Sequence, residues 1–335
     1  MKPKYLNKTS KLYLIAPSFG CTTHPYEARL KKAIPRLEKL GHEVIIGPNC
    51  FSAQGKCASN TPQLRAQEFM TAYESDADCL LSVGGGELMV EILDYIDFEK
   101  IKALPPKWFV GFSDNTNLTF TLTTLCDLET IYGSCAGGFH FDKFSYDVLD
   151  TYRMLMGEQK FKGYPKYESF SDKTDPFKDY TLDQKKIITA FQYEGPFSGT
   201  ILGGNLDCLQ GLCGTPYDNV KNYTSKHTEG IIFYIEACDL SVVGIRRALL
   251  QLKRAGWFQN IKGFLVGRPL CIHEEFLGVN HINAVTDILE EYKVPILLDI
   301  DLGHLAPSLP FRNGAYATIE YKRQNIFIEY KEKDC

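Results

Sequence analysis

The sequence predicts an α/β protein: a mostly parallel sheet with helices on both faces, followed by a smaller α/β domain rich in strands. Three observations predict this. Short apolar runs alternate with helix-length segments from residue 12 to 132, the signature of repeated strand–helix–strand units. Three of those runs stop at the turns "PSFG", "VGGGE" and "GFSDN", where glycine, proline and small polar residues punctuate the chain. The chain then closes on "ATIEYKRQNIFIEYKE", which reads as a hairpin-like pair of strands.

The elements follow in order. Leu12–Ala16 is apolar and strand-sized, and ends at Pro17-Ser18. Pro25–Leu40 is an amphipathic helix, with Leu30, Ile34 and Leu37 on one face and Gly41 to stop it. Glu43–Ile46 is the second strand and Thr61–Glu74 the second helix. Cys79–Val83 is a strand that runs into Gly84-Gly85-Gly86, with Glu87–Tyr95 as a helix beyond. Trp108–Phe112 is a strand, Asn115–Thr124 a helix and Glu129–Tyr132 another strand. Ligands of such sheets bind at the carboxyl ends of the strands, so the three turns should gather on one edge. The stretch 160–186 is charged, aromatic and aperiodic, and reads as a long connection. Beyond it, "GTILGGNLDCLQGLCGTPY" reads as a glycine-rich turn leading into a short helix. Gly230–Glu236, Gly263–Gly267 and Pro295–Asp299 are strands, with helices at Ser241–Ala255 and His281–Tyr292. The domains expected are 1–160, a linker at 161–190, and 191–335.

The totals exclude several classes of function. A length of 335 residues suits two domains, and 44% hydrophobic with 23% charged residues is ordinary for a globular chain. A formal net charge of -4 argues against nucleic-acid binding, which needs a basic face. No apolar run approaches the roughly 20 residues that cross a membrane, and no signal peptide is expected. The eleven cysteines never occur at CxxC spacing. They read as small buried hydrophobes of a reduced cytoplasmic protein, and the zinc signature is missing.

Ser113 stands where a buried strand becomes a helix. It either caps that helix or is presented to a substrate. Gly111 permits a tight turn, Asp114 and Asn115 can take over the capping, and N–H groups at the helix start can stabilise an oxyanion. "VGGGE" suits an oxyanion or phosphate, or is simply a tight turn; no Lys-Ser/Thr follows to make it a P-loop. A serine nucleophile needs a base and an acid that holds the base. His304, between Gly303 and Pro307 after an apolar strand, is a candidate base. Glu236 ends the apolar run Ile231–Ile235, where a carboxylate must find a partner. It either orients a histidine or forms a salt bridge to Arg246 or Arg247. A rival nucleophile is Cys135, in the G-x-C-x-G run "GSCAG", whose spacing resembles the elbow of class I glutamine amidotransferases. There the following "GGFHFDKF" makes a poor helix start. A catalytically silent binding protein is the remaining alternative.

Taken together, seven segments resemble the LD-carboxypeptidase family of serine peptidases, which includes the microcin C immunity-type enzymes. They are "IAPSFG", "SVGGGELMVEILDYIDFEKI", "VGFSDNTNL", "LGGNLDCLQGLCGTPY", "IIFYIEACD", "LLQLKRAGWFQNIKGFLVGR" and "DLGHLAPSLPFRNGAYATI", in family order over nearly the whole chain. The resemblance implies an amidotransferase- or flavodoxin-like first domain and an active site between the two domains. It implies a Ser113–His304–Glu236 triad, with an oxyanion hole from backbone N–H groups of Asp114 and of the Gly85–Gly86 turn. It implies no metal, no organic cofactor and a small peptide substrate, and is compatible with a homodimer. The substrate implied first is a murein tetrapeptide cut at its L–D bond to release the terminal D-amino acid; a microcin-like aminoacyl nucleotide is the alternative. Two departures from the family lie at "EACDLSVVGIRRALL", with Arg246 where relatives commonly have Asp, and at "YGSCAGG", where Gly-Pro is the expected continuation.

Overall fold

The structure is a computed structural model that describes residues 1–170 and 174–332. The chain divides into two compact units. Residues 1–158 and 174–179 form the first, and 159–170 and 180–332 the second.

The first unit contains β1 (Lys11–Ile15), α1 (Tyr26–Lys39), β2 (Glu43–Ile46), α2 (Pro62–Glu74) and β3 (Cys79–Ser82). It continues with α3 (Phe98–Ala103), β4 (Trp108–Gly111), α4 (Thr116–Cys126), β5 (Thr130–Tyr132) and α5 (Tyr146–Leu155). Its strands pair in parallel in the order β5-β4-β3-β1-β2. Parallel strands are covered on both faces and so carry continuous apolar runs. Accordingly every residue of β3 and β4 is buried, and each fully buried Phe or Val there contributes about 1.5–3 kcal/mol. The order reverses between β1 and β3, so the turns after those strands flank a topological switch point, where open α/β sheets bind ligands. Helix α2 starts as its sequence dictates: the Thr61 hydroxyl accepts from the Leu64 N–H at 3.4 Å and Pro62 opens the helix. The buried face of α1 is Leu30, Ala33 and Leu37, with Ile34 half-exposed.

The second unit opens with β6 (Lys160–Lys162), β7 (Lys166–Tyr167), β8 (Gln184–Lys185), β9 (Thr189–Phe191), β10 (Phe197–Asn205), α6 (Leu206–Leu212) and α7 (Val220–Lys226). Then come β11 (Ile231–Glu236), α8 (Val242–Arg254), β12 (Ile261–Gly267), β13 (Glu275–Phe276), β14 (Val279–Asn280) and α9 (His281–Leu289). It ends with β15 (Ile296–Ile300), β16 (Phe311–Asn313), β17 (Tyr316–Lys322) and β18 (Asn325–Lys331). An eight-stranded sheet runs β6-β18-β17-β10-β11-β12-β15-β9. Its centre, β10 to β15, is parallel, and its flanks are antiparallel. The stretch expected as a linker thus carries strands: β6 pairs with β18 and β9 with β15, while 171–173 lie outside the described residues.

Three expectations are corrected. Residues 197–205 are not a glycine-rich turn but the central strand β10. Its glycines serve close approach: a Cβ on Gly199 would sit 2.8 Å from the Gly230 carbonyl oxygen. Glu87–Tyr95 is not an α-helix; only Met89–Tyr95 is helical, as a 3₁₀ segment. Its start is held by other groups, since the Leu88 carbonyl accepts from Arg65 and the Met89 N–H donates to Asp114. The Asn115 side chain does not cap α4; its Nδ2 donates to the Gly84 and Phe112 carbonyls instead.

Candidate active site

In the first unit, the turns after β1, β3 and β4 meet at the carboxyl edge of the sheet. Ser113 has φ +64°, a left-handed conformation uncommon outside glycine. Such strain is held by surrounding structure and concentrates at functional turns. Here the Ser113 N–H donates to the buried Tyr132 hydroxyl at 3.0 Å, and the Tyr132 ring packs on Phe112 with centroids 5.0 Å apart. The glycine turn lies directly behind Ser113: a Cβ on Gly85 would sit 3.2 Å from Ser113 Cβ and 3.5 Å from its Oγ. A Cβ on Gly86 would collide with Ser18 Oγ. Only glycine lets the three turns come this close. The Phe19 N–H donates to the Gly85 carbonyl at 3.2 Å, and Asn115 Nδ2 donates to the Gly84 and Phe112 carbonyls at 2.9 and 2.8 Å.

Cys135 lies in the same unit, before a 3₁₀ turn at Ala136–His140 and no α-helix. Burial pushes its thiol up to about 12, against a smaller lowering by a backbone hydrogen bond from Phe112. A thiol acts as a nucleophile only when ionised, so this environment disfavours it.

In the second unit, β11 is buried throughout and ends on Glu236, which is 1% exposed. Its Oε2 lies 3.0 Å from His304 Nδ1, and its Oε1 accepts from Asn205 Nδ2 at 2.9 Å. Both carboxylate oxygens are thereby engaged, as a buried charge requires. The structure therefore brings Glu236 and His304 together. Arg246 instead forms an ion pair with Asp287 at 2.7 Å and donates to the Asn283 carbonyl, which removes the Arg246 salt bridge considered from sequence. With Nδ1 facing the carboxylate, the Nδ1–H tautomer is favoured and Nε2 becomes the basic nitrogen. Burial alone would lower the His304 imidazole; Glu236, with a hydrogen bond that the imidazole donates to the Cys238 side chain, outweighs it and raises the imidazole well above the ordinary 6.5.

Backbone features deliver these side chains. Gly303 has φ +112°, and a Cβ there would sit 3.3 Å from Glu236 Oε2. A glycine just before His304 thus lets the loop settle onto Glu236. The loop is moored by Asp301, whose Oδ2 accepts from Lys186 Nζ and the Tyr164 N–H, both at 2.7 Å. Arg268 NH2 lies 2.9 Å from Asp301 Oδ1. The Ser308 hydroxyl accepts from the Gly303 N–H at 3.1 Å.

Sequence reasoning missed Asn205, whose Oδ1 also accepts from the Cys208 N–H at 3.1 Å and caps α6. An Asn between an apolar run and a short helix was the available signal. It missed Ser18 and the buried Arg65 as well. No group of His, Cys, Asp and Glu among the described residues is arranged to hold a metal ion. Among the described residues no helix is long and apolar enough to cross a membrane.

Comparison with known proteins agrees with the two units. Residues 12–133 match the LD-carboxypeptidase N-terminal domain and residues 198–319 the LD-carboxypeptidase C-terminal domain. The chain is 26% identical over 316 residues to the microcin C7 self-immunity protein MccF of Escherichia coli, covering 90% of this chain and 88% of that protein. It is 26% identical over 335 residues to the probable murein peptide carboxypeptidase of Bacillus subtilis, covering 98% and 94%. Among solved structures it resembles an MccF-like protein from Bacillus anthracis, with a TM-score of 0.82 and 24% identity over 99% of this chain and 100% of that one. It also resembles MccF in complex with aspartyl sulfamoyl adenosine, with a TM-score of 0.82 and 21% identity over 99% of each chain. At those identities the structural likeness is one of fold.

Proposed function

The chain belongs to the LD-carboxypeptidase family, and from that membership we propose that it is a serine peptidase that hydrolyses an amide bond in a small peptide. Ser113 attacks the scissile carbonyl. His304 Nε2 takes the hydroxyl proton and later delivers it to the leaving amine, while Glu236 orients the ring and stabilises the imidazolium. Backbone N–H groups of Asp114 and of the Gly85–Gly86 turn stabilise the oxyanion. The observation that carries this reading is the buried Glu236 carboxylate set 3.0 Å from His304 Nδ1. The left-handed turn at Ser113, backed by Gly85, supports the nucleophile assignment.

The substrate we propose is a murein tetrapeptide, cut at its L–D bond with release of the terminal D-amino acid. A second reading is cleavage of an aminoacyl-nucleotide conjugate. It stands beside the first because identity to the murein carboxypeptidase and to the microcin immunity protein is equal, at 26%. The deciding experiment offers purified protein a murein tetrapeptide and aspartyl sulfamoyl adenosine separately, with kcat/KM measured for each. Release of the D-amino acid at the higher kcat/KM is the expected outcome. Preference for the conjugate selects the second reading, and no hydrolysis of either sets both aside.

A further inference from the structure

Resting on the assignment of Ser113 and the glycine turn above, we propose that the side chains of Asp114 and Arg65 are positioning residues that lock the oxyanion turn to the nucleophile. The two act on the same pair of chain segments. Arg65 is fully buried on α2; its NH1 donates to the Pro17 carbonyl at 2.9 Å and to the Leu88 carbonyl at 3.0 Å. Its other nitrogens reach the Asn60 carbonyl at 3.0 Å and Glu91 at 2.7 Å. Asp114 is 3% exposed, and its Oδ2 accepts from the next residue of each segment, the Ser18 hydroxyl and the Met89 N–H. Its Oδ1 accepts from Asn117 Nδ2 at 2.8 Å. Residues 17–18 and 88–89 are thus each gripped twice, by a cation on a carbonyl and by an anion on a donor.

This arrangement answers a mechanical need. An oxyanion hole accelerates acyl transfer only when its donors are fixed before charge develops. Three successive glycines, Gly84–Gly86, carry no side chains to fix themselves and have wide backbone freedom. One of their tethers, the Phe19 N–H on Gly85, follows directly on the 17–18 segment that Arg65 and Asp114 hold, while Asn115, next to Asp114, and the Ser82 hydroxyl hold the Gly84 carbonyl. Asp114 directly follows Ser113, so any shift of the serine turn moves the glycine turn with it through Met89. Neither buried group is left unpartnered: Arg65 is ion-paired to Glu91 at 2.7 Å, and both carboxylate oxygens of Asp114 accept from donors.

The test reads the nucleophile without needing the natural substrate. A fluorophosphonate probe is reacted with the wild type, Ser113→Ala, Asp114→Ala, Ser18→Ala and Arg65→Lys. KI and kinact are obtained from saturation curves, and melting curves confirm folding. Asp114→Ala should lower kinact on the order of 10²-fold, comparable to losing one oxyanion donor, with KI unchanged. Ser18→Ala, which removes one strap, should lower kinact about tenfold by misplacing the turn. If Asp114→Ala does not fold, Ser18→Ala and Arg65→Lys decide the matter. Labelling of Ser113 at wild-type kinact in the folded variants overturns the positioning role and leaves the serine assignment intact. Failure of the wild type to be labelled at Ser113 overturns that assignment and this inference together.

Discussion

His304 sits under two opposed influences, and their balance has a measurable consequence. Burial disfavours the imidazolium, Glu236 favours it, and the carboxylate prevails. As the proposed base, His304 works only when neutral, so kcat/KM should rise with pH along a limb centred above 6.5. Glu236→Gln removes the favouring charge and keeps the burial, so the limb should move to lower pH while kcat falls on the order of 10²–10⁴-fold. A pH–rate profile of both proteins checks this, and an unmoved limb counts against the pairing. The sign for stability is the reverse. The raised value means that the pair's contribution is fully present below about 6.5 and is lost as pH rises through the raised value. Combined with His304→Ala, Glu236→Gln should add little further loss, because one unit is broken twice. Cys135→Ser should keep most of the activity, since its thiol is held near 12; loss by orders of magnitude with an intact circular dichroism spectrum would restore the thiol as nucleophile. Glu236 stood out in the sequence because it ends an apolar run, and His304 because it follows an apolar strand between Gly303 and Pro307. Asn205 and Ser18 were not, because their roles depend on partners 31 and 96 residues away.

Among the elements, the loop after β15 places His304, the proposed base. It is anchored by a buried ion cluster of Asp301, Lys186 and Arg268, in which Asp301 is fully buried. Removing one member of such a cluster leaves uncompensated buried charge. Asp301→Ala should therefore cost about 3–5 kcal/mol of stability, read by urea denaturation. A loss under about 1 kcal/mol would mean that the cluster is not the anchor of this loop. The strands of the first unit were readable because parallel strands carry unbroken apolar runs. Strand β10 was not, since "GTILGG" fits a turn as well as a strand whose glycines admit a neighbouring backbone. Lys186 and Arg65 were illegible for a related reason: in sequence a charged residue reads as solvent-facing, and only the fold shows the partners that permit burial.

At the scale of the whole chain, both units match domains of one family, and segments from one end to the other follow that family's order. Fold alone does not fix function, so the assignment rests on what single side chains do. Ser113 belongs to the first unit, and Glu236 and His304 to the second. A serine hydrolase built this way should lose turnover in Ser113→Ala while its melting curve stays close to the wild type, since one hydroxyl at a turn contributes little to stability. The most direct measurement is the site of covalent capture. Full-length protein is treated with a fluorophosphonate, digested, and the adduct mapped by mass spectrometry, with His304→Ala alongside. One adduct on Ser113, strongly suppressed in His304→Ala, is the predicted result; an adduct elsewhere, or equal capture at Ser113 without His304, would contradict the triad.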